Sequence, residues 1–337
     1  MRHAILLAQR CGNGEAQSME PDVSGHGKAR WSDHLLLQGI IVLWGFTAIL
    51  GRLISLESLP LVMWRTGLAA GALALIVGRD KLRRFGTRRD VWQALGTGCL
   101  IGFHWVLFFL AGRLGNVSTG LAGVATAALW VALLEPLLVP GRKIHTGECV
   151  LAVLVAAGVA VITGAEGVSL PSFFTGVAAA AVAALFSICN GRLVRRLPPL
   201  PLTFYELLAA SCFAGLLLLL LPVVRLVVPL PRWLEPERLV PAAGDWWPLL
   251  ILSLVCTVFA FSACVWLQRR ISAFTIGLAG NLEPVYGMLL ALLFFGSSEW
   301  MGPRFYAGAG VIIGCVALHA FMGMRTARAA GGGSGGG

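Results

Sequence analysis

The chain is written twice. The block FTAILGRL at residues 46–53 returns as FSICNGRL at 186–193, and LPLVMWR at 59–65 returns as LPLTFYE at 200–206, at offsets of 140 and 141. Farther on, GLAG at 120–123 returns letter for letter at 277–280, at offset 157, and Arg113 returns as Arg270 at that same offset. A single insertion of 16 residues between the matched blocks accounts for the jump. Each copy reads as five apolar spans. Because five is odd, the second copy must enter a membrane from the opposite side, which is the inverted-repeat plan of secondary transporters. The repeat therefore predicts an all-α polytopic membrane protein of ten transmembrane helices, arranged as two inverted five-helix repeats.

Composition agrees with a lipid environment. Only 12% of residues are charged and 57% are hydrophobic, with a mean hydropathy of +0.81, whereas soluble domains carry about 25% charge. A hydrocarbon core asks for about 20 apolar residues per helix. Ten such stretches fall near 34–54, 59–78, 91–112, 117–139, 147–164, 171–190, 202–223, 247–267, 272–296 and 305–324. They leave short connections and no separate soluble domain, so function has to reside inside the bundle. The expected organisation is a disordered cytoplasmic leader at 1–30, a first repeat at 31–166, an inverted second repeat at 167–325 and a flexible Gly/Ser tail at 326–337. The leader's apolar run, residues 4–8, is too short for a signal-peptide core, and Met19 offers an alternative start.

The net charge of +10 would suggest nucleic acid in a soluble protein. Here topology explains it. With the N-terminus inside, 19 of the 26 Lys and Arg residues fall in cytoplasmic segments, and 7 (Arg52, Arg65, Arg113, Arg225, Arg232, Arg238 and Arg304) fall in or toward the outer half. That bias places both termini in the cytoplasm. The dense basic run at 79–89 then reads as a topology anchor, with no nucleic-acid partner implied. The insertion gives one long outer loop at about 222–245, whose Trp233 joins Trp246, Trp247 and Trp300 in an interfacial belt. Eight cysteines show no CxxC spacing and mostly sit in apolar spans, so neither disulfides nor a metal site is expected.

Ionisable residues at membrane depth are costly, and each is a functional candidate until a partner explains it. Glu283 lies about a dozen residues past Arg270, roughly 18 Å and close to the midplane. Around it, GLAGNLEPVYG at 277–287 combines three glycines with Pro284. Proline removes a backbone donor and crowds the carbonyl of Gly280, loosening the helix where a polar substrate can reach bare backbone. A carboxylate there suits a proton or a cationic substrate group; its alternative is a structural hydrogen bond to Asn281. Arg65 and Glu206 occupy matched places, each about six residues or roughly 9 Å inside opposite faces. They read as alternate gates, with Arg65 also able to hold a carboxylate by its planar fork, or as locally paired residues. His104, near midplane beside Trp105, is a proton carrier or a satisfied core histidine, and the same choice applies to His319. Glu135, near the inner end of the fourth span, reads as an ion pair with Arg142 and Lys143. Trp44, Trp64, Trp105, Trp130 and Tyr286 are candidates for an aromatic cavity, with Trp44 and Trp130 nearest mid-depth.

LWGF at 43–46, the WR pair at 64–65 and NLEPVYGMLLALLFFGSSEW at 281–300 resemble the EamA-type drug/metabolite transporters, over about residues 31–324. That resemblance implies two inverted five-helix repeats around a central cavity, and in prokaryotes mostly export of amino acids and other small metabolites. One departure is the displaced acid that closes the ninth span, Gly296-Ser297-Ser298-Glu299, so Glu299 is left out of the site. Together these readings predict a multi-pass protein of the bacterial inner membrane that moves a small polar, amino-acid-like metabolite outward by alternating access. Arg65 would take the substrate carboxylate and Glu283 the ammonium. Glu283, with His104, would be the proton-sensitive group if protons drive the cycle. Efflux of a lipophilic cation, held by Glu283 and aromatic faces, is the alternative. A membrane-embedded enzyme lacks an HExxH motif and paired aspartates at depth, no nucleotide-binding loop is present, and no cofactor is implied.

Overall fold

The computed structural model describes residues 29–115, 117–140, 146–163, 169–226, 238–295, 302–304, 306–315 and 318. Met19, Arg142, Lys143, Trp233, Glu299, Trp300, His319 and the Gly/Ser tail lie outside the described residues. Every regular element among the described residues is helical, as a lipid-embedded backbone without partners requires.

The first copy begins with α1 (Trp31–Leu53) and α2 (Ser58–Val77). Gly78, at φ +80°, turns the chain into the short α3 (Arg79–Arg83); this left-handed conformation favours glycine. Thr87 then starts α4 (Arg88–Leu114) with a capping box, its hydroxyl accepting from the Asp90 N–H while Asp90 accepts from the Thr87 N–H. α5 (Val117–Val124), α6 (Ala127–Leu138) and α7 (Thr146–Thr163) complete that copy. The second copy opens with α8 (Leu170–Val194), capped by Ser169 with Pro171 in its first turn, and α9 (Pro199–Arg225). Next, α10 (Trp246–Ser253), a π-helical turn (Leu254–Phe259) and α11 (Ala260–Leu267) run as one rod. α12 (Ala273–Gly280), capped by Ser272, is followed by α13 (Glu283–Phe295) and α14 (Tyr306–Cys315).

Seven stretches among the described residues are long and apolar enough to cross a membrane: 31–53, 58–77, 88–114, 119–138, 170–194, 199–225 and 243–267. Ten spans are expected from sequence. Of the other three, residues 146–163 form the 18-residue α7, and the ninth is divided between α12 and α13. The tenth is described only over the ten residues of α14.

Both copies break their fourth helix within one residue of the matched position. The first copy turns at Ala125 and Thr126 between α5 and α6, and the second turns at Asn281 and Leu282 between α12 and α13. The loosening expected at Pro284 is thus a full interruption, and the matching break in the first copy has no proline. Thr126 supplies it, because its N–H and hydroxyl both bond the Gly123 carbonyl, at 3.2 and 2.8 Å, and tighten the chain out of the α register.

Close backbone approaches hold the bundle. A Cβ on Gly102 of α4 would lie 2.9 Å from the Ala210 Cα of α9, and one on Gly98 would lie 2.7 Å from the Glu206 Cα. These two glycines form a GxxxG face, which lets membrane helices pack at van der Waals distance where no hydrophobic force draws them together. Gly45 of α1 meets Gly287 of α13 in the same way, its Cβ position 2.8 Å from the Gly287 nitrogen. At one end Asp33 pairs with Arg270 at 3.4 Å and Asp90 with Arg196. At the other, Asp245 accepts from the Ser55 N–H at 2.8 Å and from the Ser55 hydroxyl at 2.6 Å. Each of these contacts joins one copy to the other.

Candidate functional site

A cavity of about 130 Å³ lies between the two copies. At about 30 Å³ per water in the liquid, it has room for about four waters, or for a small metabolite. Its walls come from matching positions. Thr47 and Ser187, offset by 140, both line it, as do Trp44 and Ala184; at offset 157, His104 and Phe261 both line it, as do Phe108 and Val265. The cavity therefore lies where equivalent faces of the repeats meet.

Arg65 and Glu283 are the charged residues in its lining, and His104 is the titratable third. Arg65, on α2, is only 2% exposed. Its Nε donates to the Thr257 hydroxyl at 2.7 Å, and its guanidinium carbon sits 4.4 Å from the Trp105 ring centroid and 5.6 Å from that of Phe109. Thr257 is aimed by the π-helical turn, where its own hydroxyl donates to the Leu252 carbonyl five residues back, at 2.8 Å. The extra residue in such a turn re-aims a side chain, which is why π-turns recur at functional sites. The guanidinium plane is thus clamped, while its terminal N–H groups have no partner among the described residues. That leaves the fork of donors that suits a carboxylate.

Glu283 begins α13 beside the break. It is 8% exposed and lines the cavity without an ion pair to Arg65 within 4.0 Å. Pro284 has no N–H, and the Gly280 carbonyl it would have bonded belongs to a residue that also lines the cavity. His104 donates from Nδ1 to the Ala179 carbonyl of α8 at 2.9 Å. This fixes the tautomer of the neutral ring and leaves Nε2 as the free acceptor.

The remaining candidates lie elsewhere. Glu206, 0% exposed, sits in the α4/α9 interface with Oε1 accepting from the Thr97 hydroxyl at 3.0 Å and Oε2 without a partner among the described residues. Thr97 has one proton to give, yet the Gln93 and Ala94 carbonyls lie at 3.2 and 3.0 Å from the same oxygen. Arg65 and Glu206 thus share a pattern: each is met by a threonine on the third helix of the other copy. Asn281 is fully buried in the helix break with both amide atoms unpartnered among the described residues. Trp130 packs beside the α6/α12 core, its indole N–H buried and without a partner there. The Tyr286 hydroxyl donates to Gln38 at 3.2 Å. None of these four lines the cavity. Glu135 is buried, while the Arg142 and Lys143 expected to meet it are outside the described residues. Trp64 stands edge-on to Trp246 at 5.6 Å and donates to the Leu239 carbonyl at 2.8 Å, away from the cavity.

Sequence reasoning missed the polar pair Gln268 and Ser187, bonded at 3.4 Å in the cavity wall, and the anchoring role of Thr257. For Ser187 the signal was present, since the repeated block keeps a hydroxyl in second place in both copies, as Thr47 and Ser187. Gln268 stands against Arg269 and Arg270, where a span end hides it.

The model of the EamA-like transporter family matches the chain twice, at residues 32–164 and 170–321. This chain belongs to the EamA-like transporter family. It is accordingly a multi-pass membrane protein of a transporter family, with one family unit in each copy of the repeat. No curated protein matches it. Among solved structures, one titled only "Crystal structure of protein" is 19% identical and covers 88% of this chain and 99% of its own, at a TM-score of 0.65. At that identity the likeness speaks for the fold alone.

Proposed function

We propose that this EamA-like protein is a secondary transporter of the bacterial inner membrane, with ten spans in two inverted repeats and both termini cytoplasmic. It exports a small zwitterionic, amino-acid-like metabolite by alternating access. The observation that carries this reading is one small cavity lined by both a clamped guanidinium and a carboxylate at a helix break, with no ion pair between them. Such a pair lacks a partner of its own at each end, and a zwitterion supplies both. Arg65 takes the carboxylate and Glu283 the ammonium, while Gln268, Ser187 and the aromatic walls fix the remainder. The equivalent walls and matched breaks support the inverted plan, because interrupted helices at corresponding positions of two repeats mark the binding site in that architecture.

Release requires Glu283 to part from the ammonium. A proton bound at Glu283, relayed by His104 Nε2, is the coupling step this geometry supports. A bare lipophilic cation fits less well. The aromatic walls favour it, but Arg65 shares its chamber and repels it.

Proteoliposomes loaded with an equimolar mixture of the standard amino acids test the reading, with mass spectrometry of the external medium. A subset of zwitterions leaves vesicles holding the wild type and stays in vesicles holding Glu283→Gln. Equal leakage from wild-type and protein-free vesicles contradicts the proposal.

A further inference from the structure

A second cavity, of about 100 Å³, adjoins the first. Phe108 lines both. Phe109, the next residue, lines the second cavity on one side and faces the Arg65 guanidinium, 5.6 Å from its ring centroid, on the other. The Phe109 ring lies flush on Gly51, where an added Cβ would come within 2.5 Å of it. The two rings therefore form a septum.

Beyond the septum the lining carries two guanidinium-bearing residues, Arg52 and Arg113, and no carboxylate among the described residues. Arg113 is anchored through one nitrogen, Nη2, which donates to the Ile54 carbonyl at 3.3 Å and to that of Leu56. Its other N–H groups have no partner among the described residues. Glu57 acts on Arg113 electrostatically but does not line the chamber. In a narrow cleft with apolar walls the Arg113 guanidinium focuses its field on whatever enters, and Arg52 lines the same chamber. The rings offer flat apolar faces beside those donors.

We infer that this chamber is a second binding site, separate from the Arg65 and Glu283 cavity, which takes the carboxylate end of a small organic anion and excludes cations. The inference does not rest on the transported cargo, because charge selection in the chamber is readable without transport.

Gly112 provides the reporter. It lines the chamber, and a Cβ built there meets nothing within 4 Å, so Gly112→Cys adds a thiol into open space. The variant, purified in nanodiscs, is reacted with a small anionic sulfonate thiosulfonate and with a cationic trimethylammonium thiosulfonate. Peptide mass spectrometry reads modification at that position alone, and each rate is divided by the reagent's rate with a free thiol. Nearby arginines raise the thiolate fraction for both reagents alike, so the ratio isolates charge selection. The expected ratio favours the anion about tenfold or more, the lower end of what a focused field in a cleft gives, and benzoate slows the reaction while choline does not. Adding Arg113→Gln, or in a second protein Arg52→Gln, brings the ratio toward one. A ratio at or below one, labelling by neither reagent, no slowing by benzoate, or an unchanged ratio in both arginine variants overturns the inference.

Discussion

At residue scale the account separates two buried acids of the same type. Glu283 lines the cavity without a partner, and Glu206 is packed against Thr97 away from it. Glu283→Gln is expected to leave folding intact and lower transport at least tenfold, the scale of one lost charge-assisted contact, measured as initial efflux from proteoliposomes. Glu206→Gln, neutral and isosteric, should transport within about twofold of wild type, whereas Glu206→Ala should unfold earlier by roughly 2–5 kcal/mol of lost packing. A Glu206→Gln protein that binds but no longer transports would instead put that carboxyl in the coupling machinery. Arg65→Lys keeps the charge and loses both the Thr257 bond and the stacking on Trp105. Those contacts are worth about 1.5 to 3 and 0.5 to 2 kcal/mol respectively, so KM should rise about tenfold or more with little change in kcat. Much of the candidate cavity is legible in the sequence: cost at membrane depth singles out Arg65, His104 and Glu283, and all three line it. Depth does not say which face of a helix a residue takes, and so the sequence offers Trp130 and Tyr286 as candidates for an aromatic cavity that they do not line. Thr257 was illegible because only the π-turn points it at Arg65.

At the scale of elements, the breaks and the glycine faces carry the argument. Pro284→Ala restores the missing N–H and lets the Gly280 carbonyl be bonded, joining α12 to α13. The expected outcome is an equal or higher unfolding temperature in detergent together with slower transport, since the gain in helix continuity closes the exposed backbone beside Glu283. Unchanged transport would mean that the break is structural. Gly98→Ala drives a methyl into the α9 backbone and should cost about 1–3 kcal/mol by overpacking. Gly71→Ala, where a Cβ meets nothing within 4 Å, should be neutral or stabilising by about 0.5–1 kcal/mol. The same thermal unfolding series reads both. The break in the second copy could be read from Gly280 and Pro284. That in the first copy could not, because Thr126 in an apolar run reads as ordinary helix until its hydroxyl is seen on the Gly123 carbonyl.

At the scale of the molecule, the repeat determines how the parts work together. Contacts that join the copies lie at both ends, Asp33 with Arg270 at one and Ser55 with Asp245 at the other, with the cavity formed where the copies meet. On the proposed alternating-access cycle, one set of contacts would be made while the other is broken. The repeat was readable because matched blocks survive at constant offsets. The seven long apolar stretches follow directly from hydropathy. The most direct test compares intracellular and medium metabolites in cells expressing the wild type with those expressing equal amounts of Glu283→Gln. The account predicts at least one small zwitterionic metabolite that accumulates in the medium only with the wild type and builds up inside cells carrying the variant. Matching profiles, or a difference confined to lipophilic cations, would contradict it.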